Sequence, residues 1–476
     1  MNQKKFYITT AIPYVNAAPH IGFALEAVQA DVITRYYRQK GVNTLLLTGA
    51  DENSLKNVKA AEEAGISTQE LCDLHAKEFA DLKNILNFSY DKFFRSSNKE
   101  QHWSGVQKLW NLCKDKIFKK TYKGLYCVGC EVFYTENELI EDRCPEHKIK
   151  LEEVNEENYF FKLSDYKNTL KSLIESDKLK IVPEERKNEA LGFINQGLED
   201  FSISRSVKRA KGWGVPVPND SSQIMYVWFD ALGIYLTGIG YGTDEKTFNK
   251  WWPADIHLIG KGILRFHAVY WPAILLASGL PLPKSIYVHG YLTVEGEKIS
   301  KSLGNVIDPK ELVEKYGQDP IRYFLLKETP FGNDGDFSEE RFKEVYNADL
   351  ANGLGNLVAR VAKLAEKSGL EFKQTDSLDK ILDEEWAKAL KDFRFDIALQ
   401  RIWLDISIVD KHIDHFAPWS EKDKGKLKDI LQTEINDIRK ITLRLKPFLP
   451  ETAEKIEKQF AGPTIKSTVP LFPRIK

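Results

Sequence analysis

The sequence has 476 residues, of which 42% are hydrophobic and 29% are charged, and its formal net charge is −1. This length predicts about three structural units, and the composition is typical of a globular protein with large cores. A charge near zero excludes a uniformly basic surface, so a nucleic acid would have to bind local patches. The first residues read as a strand and not as a secretory leader, and the longest apolar run is interrupted by proline. We therefore expect a cytoplasmic protein that makes no membrane contact.

Short apolar strands alternate with helices from residue 5 to about residue 116. The strand FYITTAI is followed by the helical pattern ALEAVQADVITRYYRQKG, the strand NTLLLTGADE and a helix that begins near Ser67. This order predicts a parallel sheet covered by helices. Later strands such as ENYFFKL break the alternation, which resumes at QIMYVWFDALGIYL. The pattern indicates one α/β domain that is split by an insertion.

The predicted segments follow from these changes in pattern. Three amphipathic helical stretches after about residue 347 predict a helical bundle. We place the halves of the α/β domain at 1–116 and 216–294, the insertion at 117–215, a loop region at 295–346 and the bundle at 347–476.

The insertion carries a candidate metal site in the stretch CVGCEVFYTENELIEDRCPEH. Cys127 and Cys130 form one closely spaced pair, and Cys144 and His147 form another. Four such ligands suit a tetrahedral Zn²⁺ with no open position, so the predicted site is structural. The alternative is two unrelated pairs of buried residues. Cys72 and Cys113 lie in helical patterns and are interpreted as core residues.

Two further stretches suggest phosphate binding. In PHIGF, His20 and Gly22 lie between the first strand and the first helix, where a loop backbone and a helix N-terminus can approach phosphate. In EGEKISKSLGN, Lys298 and Lys301 flank Ser300, and such a segment can neutralise charge on a triphosphate. Read alone, His20 could simply fill a loop, and the lysines could be solvated residues of an exposed turn.

Together these stretches resemble the paired signatures of class I aminoacyl-tRNA synthetases, usually written HIGH and KMSKS. Further stretches, which occur in the order found in the family, narrow the resemblance to the methionyl-tRNA synthetases. They are TTAIPYVNAAPHIG, LTGADENS, YVWFDAL, LIGKGILRFHAVYWPA, VHGYLTVEGEKISKS and NADLANGLGNLVAR. The resemblance implies a Rossmann-like catalytic domain at 1–116 and 216–294 with a zinc knuckle in the insertion. It also implies a stem-contact region at 295–346 and an anticodon-binding bundle at 347–476.

The resemblance implies a two-step reaction that uses Mg-ATP, L-methionine and tRNA(Met). The methionine carboxylate attacks the α-phosphate, and the terminal ribose hydroxyl of the tRNA then attacks the adenylate. Catalysis would rest on positioning and charge stabilisation. His20, Lys298 and Lys301 are the implied catalytic residues, with Gly22 allowing the adenosine to approach. The implied ATP-binding set is His20, Gly22, Gly260, Lys298, Ser300 and Lys301.

The resemblance also implies a methionine pocket. Its implied residues are Ala11, Ile12, Tyr14, Asp51, Trp228, Tyr235, Ile263 and His267. Asp51 would accept from the α-ammonium, and the aromatic rings would enclose the thioether. Read without the resemblance, Asp51 could cap the following helix. Trp228 and Tyr235 could be plain core residues, and His267 could be an interior histidine.

For tRNA, the resemblance implies that Asn356, Arg360 and Trp419 recognise the anticodon CAU. A spacing of four places Asn356 and Arg360 on one helix face, while the Trp419 ring offers a stacking surface. Taken singly, Asn356 could be a cap residue, Arg360 a surface arginine and Trp419 a buried tryptophan.

The chain departs from the family pattern at two positions. Phe23 stands where the signature usually has a second histidine, and Gly262 stands where the family usually has an aspartate expected to bind the ATP ribose. Weakened ATP binding or activation could follow. One metal knuckle and no further dimerisation segment lead us to expect one Zn²⁺ and a monomer.

Three other functions compete with the ligase activity that the resemblance implies. The departures motivate a tRNA-binding protein with an impaired catalytic site. A class I ligase for another amino acid would need a long editing domain or a metal thiolate site in the catalytic core, and neither is seen in the sequence. A zinc-dependent nucleic-acid reader without catalysis leaves the split α/β domain unexplained.

Overall fold

The computed structural model of the chain describes residues 4–129, 131–134, 138–145, 148–299, 304–373 and 384–476. The chain forms two compact units, and we describe each by itself. The sheet unit comprises Met1–Pro19, Gly41–Leu82 and Tyr90–His289, and the helical unit comprises His20–Lys40, Lys83–Ser89 and Gly290–Lys476. No helix in the described ranges has both the length and the apolar character needed to cross a bilayer.

Most of the strands are short, and many of them are apolar. In chain order they are β1 (Lys5–Thr9), β2 (Asn43–Ala50), β3 (Lys92–Arg95), β4 (Ile117–Cys127), β5 (Val132–Tyr134), β6 (Glu152–Phe161), β7 (Lys180–Val182), β8 (Phe201–Ser202), β9 (Ser204–Ser206), β10 (Pro216–Val217), β11 (Asp220–Met225), β12 (Ile256–Gly260), β13 (Ser285–His289), β14 (Leu292–Val294), β15 (Glu297–Lys298) and β16 (Gly335–Phe337).

The helices range from 4 to 22 residues in length. They are α1 (Ile21–Gln39), α2 (Leu55–Ala64), α3 (Thr68–Ile85), α4 (Ser104–Leu112), α5 (Lys167–Glu175), α6 (Glu184–Gln196), α7 (Val227–Leu232), α8 (Ile234–Thr237), α9 (Glu245–Trp251), α10 (Trp271–Ser278), α11 (Pro309–Tyr316), α12 (Gln318–Glu328), α13 (Glu339–Val345), α14 (Asn356–Ser368), α15 (Glu384–Lys391), α16 (Phe395–Phe416), α17 (Lys424–Leu445) and α18 (Pro450–Gln459). Stretches of π-helix are at Lys99–Trp103, Phe266–Tyr270 and Tyr346–Gly355. Short 3-10 helices are at Lys114–Lys116, Leu163–Tyr166 and Lys261–Ile263.

A six-stranded parallel sheet forms the centre of the sheet unit, which confirms the predicted parallel sheet. Its order is β3-β2-β1-β12-β13-β7. The strands β1, β12 and β13 are buried along nearly their whole length, as expected for a sheet covered on both faces. The chain leaves β1 toward β2 on one side and returns at β12 on the other, so the strand order reverses between β1 and β12. Ligands bind at such reversals in open α/β sheets, at the carboxyl ends of the strands.

The predicted insertion contains a second, antiparallel sheet of order β5-β4-β6-β8. The strands β4 and β6 pair along almost their whole length, from Ile117 opposite Phe161 to Tyr126 opposite Glu152. The same segment also supplies β7, which joins the edge of the parallel sheet beside β13. The segment between 117 and 215 is therefore not structurally separate from the parallel sheet, and its exact boundaries remain a prediction.

In the helical unit, a buried ion pair joins α1 to α12. A guanidinium nitrogen of Arg322 lies 2.7 Å from a carboxylate oxygen of Asp31, and both side chains are fully buried. Arg322 also donates to the backbone oxygens of Leu86, Pro447 and Phe448, so each of its three nitrogens has a partner. Because a buried charge is costly without such partners, this set of contacts fixes how α1 packs within its unit.

Candidate active site

The residues predicted to bind methionine lie in the sheet unit, most of them after the carboxyl ends of β1, β2 and β12 and two of them on α7 and α8. Ala11, Ile12 and Tyr14 follow β1, and Asp51 follows β2. Gly260 ends β12, while the remaining members of the set lie just after β12 or on α7 and α8: Ile263, His267, Trp228 and Tyr235. The reversal between β1 and β12 thus places segments from distant parts of the sequence at one edge of the sheet.

A hydrogen-bonded chain fixes Tyr235 and His267. The His267 Nδ1 lies 3.0 Å from the backbone oxygen of Ile263, which can only accept, so this nitrogen donates. Burial lowers the pKa of His267 to about 4, so the ring is neutral near pH 7 and its Nε2 accepts. The Tyr235 hydroxyl, 2.8 Å from Nε2, is then the donor. This pair is fully buried and presents a preorganised polar contact beside aromatic rings.

Trp228 stands at the centre of an aromatic cluster. Its ring stacks on Phe266 with centroids 3.7 Å apart and planes 5° from parallel, and it meets Tyr14 edge-on at 6.3 Å. The Trp228 Nε1 and the Tyr14 hydroxyl are buried and have no hydrogen-bond partner among the described residues. Buried donors are normally paired, so these two are candidates to bind a ligand.

Asp51 is 2% exposed and forms a short parallel bridge with Tyr14. One of its carboxylate oxygens accepts from the Asn53 backbone N–H at 3.3 Å. Burial and, next, repulsion from Asp230 raise its pKa well above the usual range. A cation bound beside Asp51 would favour its charged form. The cap of α2 is Ser54, whose side chain accepts from Asn57, so the alternative reading of Asp51 as that helix cap is wrong.

His20 and Gly22 lie in the helical unit at the start of α1. His20 is the N-cap residue, and its Nδ1 accepts from the Gly22 N–H at 3.1 Å. Burial lowers the pKa of His20 to about 4. The neutral ring therefore carries its proton on Nε2, which can donate to an anion. A Cβ atom at Gly22 would lie 2.8 Å from the His20 ring, so glycine is required for this ring position.

The KISKS segment is described only in part. Lys298 is exposed, and its amine lies 5.5 Å from the centre of the Tyr291 ring. A Cβ atom at Gly22 would lie 3.8 Å from the Ile299 side chain, and the Ile21 N–H donates to the Ile307 oxygen at 3.0 Å. The start of α1 therefore lies beside Ile299 of the segment and beside Ile307, which follows the segment, within the helical unit. Ser300 and Lys301 lie outside the described residues.

The two departures from the family pattern lie in different units, Phe23 in the helical unit and Gly262 in the sheet unit. The Phe23 ring packs against the His20 ring with centroids 4.5 Å apart. Gly262 is exposed in the helical turn Lys261–Ile263, two residues beyond Gly260. Phe23 thus supplies packing against His20 where a second histidine would supply a hydrogen-bond donor.

The anticodon candidates lie together in the helical unit. Asn356 and Arg360 are one turn apart on α14, with Asn356 exposed. The Arg360 guanidinium lies 5.3 Å from the centre of the Trp419 ring and 2.5 Å from an Asp414 oxygen. The Trp419 side chain is 58% exposed, so the simpler reading of a buried tryptophan does not hold. An exposed indole with an adjacent guanidinium can stack on an unpaired base.

The candidate metal ligands are only half described. Cys127 ends β4, and Cys144 lies in a turn whose backbone N–H donates to the Ile149 oxygen at 2.9 Å. Both thiols are buried in one core cluster. Cys130 and His147 lie outside the described residues. Two buried thiols on tight turns fit half of a tetrahedral zinc site.

The structure adds residues that the sequence interpretation missed. Phe266 forms the stacking surface for Trp228, and His102, Asp230 and Asn53 form a buried network beside Asp51. Phe266 stands in the quoted stretch LIGKGILRFHAVYWPA and could have been chosen from it. Nothing in the sequence links His102 to Asp230, because they lie far apart along the chain.

Comparison with known proteins identifies the family. The family model described as tRNA synthetases class I (M) matches residues 6–153 and 149–362. A methionine–tRNA ligase of Clostridium acetobutylicum is 42% identical over 96% of this chain and 73% of its own length. One from Brucella suis is 40% identical over 100% of this chain and 98% of its own length.

A solved structure agrees with these relatives. The Mycobacterium tuberculosis methionyl-tRNA synthetase in complex with methionyl-adenylate superposes with a TM-score of 0.91 and 35% identity, covering 99% of this chain and 100% of that one. The family model matches most of the chain, and the relatives extend over nearly all of it. The chain therefore belongs to the methionyl-tRNA synthetase family of class I aminoacyl-tRNA synthetases.

Proposed function

We propose that the chain is a methionine–tRNA ligase, which activates methionine with ATP and transfers it to the terminal adenosine of tRNA(Met). The observation that carries this proposal is the similarity to methionine–tRNA ligases over the whole chain, combined with the strand-order reversal in the parallel sheet. In the first step, a carboxylate oxygen of methionine attacks the α-phosphorus of ATP and pyrophosphate leaves. In the second, the terminal ribose hydroxyl of the tRNA attacks the carbonyl carbon and AMP leaves.

The methionine pocket would divide the amino acid between polar and apolar contacts. Asp51 would accept from the α-ammonium, whose charge offsets the cost of a buried carboxylate. The Trp228 and Tyr14 rings, with Ala11, Ile12 and Ile263, would enclose the side chain. The thioether sulfur of methionine would contact the edges of these aromatic rings favourably. The hydrogen-bonded pair of Tyr235 and His267 would offer the ligand a fixed polar contact nearby.

ATP activation would rely on donors and not on a protein nucleophile. His20 would donate from Nε2 to a phosphate oxygen, since its Nδ1 already accepts from Gly22. Lys298 and Lys301 would neutralise the charge that develops on the departing pyrophosphate, with Ser300 as a further donor. Gly260 would let the nucleotide approach the end of β12. We expect ATP to bind as its magnesium complex, as is usual for phosphoryl transfer.

The bundle would read the tRNA. Asn356 and Arg360 would hydrogen-bond the anticodon, and the exposed Trp419 ring would stack on an unpaired base. Asp414 holds Arg360 in the free protein, so this ion pair would exchange for contacts to the base.

One structural Zn²⁺ is part of the proposal. Cys127, Cys130, Cys144 and His147 would be its four ligands, and it would hold the turns of the insertion together. A monomer remains the predicted state, which sedimentation of the purified protein would test.

Methionine-dependent ATP–pyrophosphate exchange is the deciding experiment, measured with a panel of amino acids. We expect exchange with methionine above all others and its loss in the His20→Ala variant. Exchange by the wild-type protein no greater than that of His20→Ala would refute catalysis. That result, combined with retained tRNA binding, would favour the impaired protein that Phe23 and Gly262 suggest. Preference for another amino acid would assign a different class I ligase.

A further inference from the structure

A buried polar network in the sheet unit lies beside the candidate methionine pocket and takes no part in the roles given above. The His102 Nε2 contacts one carboxylate oxygen of Asp230, and the Asn53 side-chain amide donates to the other at 2.6 Å. The His102 Nδ1 lies 2.8 Å from the Thr237 hydroxyl. His102, Asp230 and the other members are all buried, so water cannot replace these bonds.

The hydrogen bonds fix the number of protons in this network. The Thr237 hydroxyl donates its single proton to the Gly233 oxygen, so it accepts from His102 and the His102 Nδ1 carries a proton. The bond between Nε2 and Asp230 holds one further proton, wherever along the bond that proton lies. With these two protons the His102–Asp230 pair has no net charge. Without the imidazole, Asp230 would be a second buried carboxylate close to Asp51.

The network connects the two segments that carry the main candidate contacts for methionine. Asp230 lies on α7, two residues after Trp228, and Thr237 ends α8, which carries Tyr235. Asn53 belongs to the turn after β2, and its backbone N–H donates to Asp51 at 3.3 Å. Its side-chain amide also donates to the Ser96 oxygen at 3.1 Å. Asn53 is thus held between the carboxylates of Asp51 and Asp230.

We propose that His102 and Asp230 are positioning residues for methionine activation, which neutralise one another and hold Asn53 so that Asp51 can receive the α-ammonium of the amino acid. Neither residue touches the substrate in this proposal. The proposal rests on the proposed function, because it assigns Asp51 to the ammonium of methionine. Repulsion from Asp230 is among the causes that raise the pKa of Asp51.

The test compares KM for methionine with KM for ATP in the exchange reaction. His102→Leu leaves Asp230 without its partner, and we expect KM for methionine to rise about tenfold. KM for ATP should change less than about twofold, because only the amino-acid contact is disturbed. The double variant His102→Leu/Asp230→Asn removes the uncompensated carboxylate, so it should bind methionine better than His102→Leu alone. Two independent structural losses would instead make the double variant worse.

Further variants keep the test decisive if His102→Leu does not fold. Asp230→Asn can still accept from Asn53 and donate to His102, and it should keep KM for methionine near the wild-type value. Asp230→Ala removes the partner of Asn53 and should raise KM for methionine selectively.

Asp255→Asn is the matched control. Asp255 also accepts from a backbone N–H, that of Tyr7 at 2.8 Å, but it precedes β12 at the opposite end of the strand from the pocket. The Asp255→Asn variant should have lower thermal stability than wild type but the same ratio of KM for methionine to KM for ATP.

Two results would overturn the inference. The first is a ratio of the two KM values that stays unchanged in both His102→Leu and Asp230→Ala. In that case any loss of activity would simply follow the loss of thermal stability, as expected for Asp255→Asn. The second is a double variant with a higher KM for methionine than His102→Leu. A wild-type protein without methionine-dependent exchange would remove the proposed function as well as the inference, so the two failures are distinguishable.

Discussion

The Nδ1 atom of His20 lies 3.1 Å from the backbone nitrogen of Gly22, and the His20 ring occupies the space that a side chain at Gly22 would need. This relationship makes the glycine a determinant of the histidine's position. The histidine caps α1 with one ring nitrogen and keeps the other available as a donor. The spacing of the two residues in PHIGF therefore has a direct geometric reason.

Gly22→Ala should reduce methionine-dependent exchange nearly as much as His20→Ala. The added Cβ would displace the His20 ring, and loss of one donor to a transferring phosphate costs about 100-fold in rate. Gly192→Ala is the matched control, because Gly192 lies in α6 and a Cβ there meets nothing within 4 Å. Full activity of Gly22→Ala would show that the ring position is not needed.

Asp51→Asn should separate stability from function. The folded-state pKa of Asp51 is raised, so its charged form costs stability, and this cost appears as the pH rises above the unfolded-state value of about 3.9. The neutral amide of the variant avoids the cost and can still accept from Asn53. We expect a higher thermal midpoint than wild type near pH 7 without ligand, with the difference vanishing toward pH 4.

The same Asp51→Asn variant should raise KM for methionine by about 100-fold, since an ionic contact to the ammonium is lost. Its stability is measured by thermal unfolding at several pH values, and its kinetics by exchange. A variant that binds methionine normally would disprove the assigned role of Asp51.

The pKa of His267 predicts how stability changes with acid. The folded state holds this pKa at about 4, while the unfolded chain has about 6.5, so the unfolded state binds more protons between these values. The stability contributed by neutral His267 is complete above pH 6.5 and is lost as the pH falls through about 4. His267→Gln removes this dependence. The thermal midpoint of wild type relative to His267→Gln should therefore fall from pH 6.5 to pH 4.5, and a constant difference would contradict the assignment.

Arg360→Ala and Trp419→Ala should spare methionine activation and lower the charging of tRNA(Met). Both residues lie in the helical unit and form one contact pair at 5.3 Å, so both changes should act on the same base contact. We expect about a tenfold loss or more in kcat/KM for tRNA, since base stacking is worth on the order of 1–3 kcal/mol. Arg394→Ala is the control, because Arg394 is an exposed arginine of the helical unit that also pairs with an aspartate, Asp396. An equal fall in activation and charging would show that the assignment is wrong.

Metal analysis of the purified protein should find one zinc per chain. Cys127→Ser and Cys144→Ser should lose the metal and lower the thermal midpoint, because a structural zinc contributes folding energy. Cys113→Ser is the control, since its buried thiol donates to the Ile274 oxygen and lies outside the insertion. Chelation should lower stability or charging in wild type. Protein without zinc, purified without chelators, would overturn the assignment.

Much of the fold could be predicted because local patterns dominate it. The apolar runs of β1 and β2 and the helical period of α1 are visible in the sequence, and the bounds differ by a few residues. The helix α2 is expected only in the alternative in which Asp51 caps it, and the structure places the cap three residues later, at Ser54. The pairing of β7 with β13 could not be predicted, since a strand of three residues carries little pattern of its own.

The sequence by itself determined the family, the alternation of strands and helices in the first half of the α/β domain, and the residue types at the two signatures. Only the tertiary structure decided which of these residues meet and in what state. It placed Arg360 against Trp419, made Tyr235 the donor to His267, and brought His102 to Asp230 beside Asp51. The physical reason is that such contacts join residues far apart in the chain, and burial then sets their protonation. A sequence pattern records neither the distance between two side chains nor the water that surrounds them.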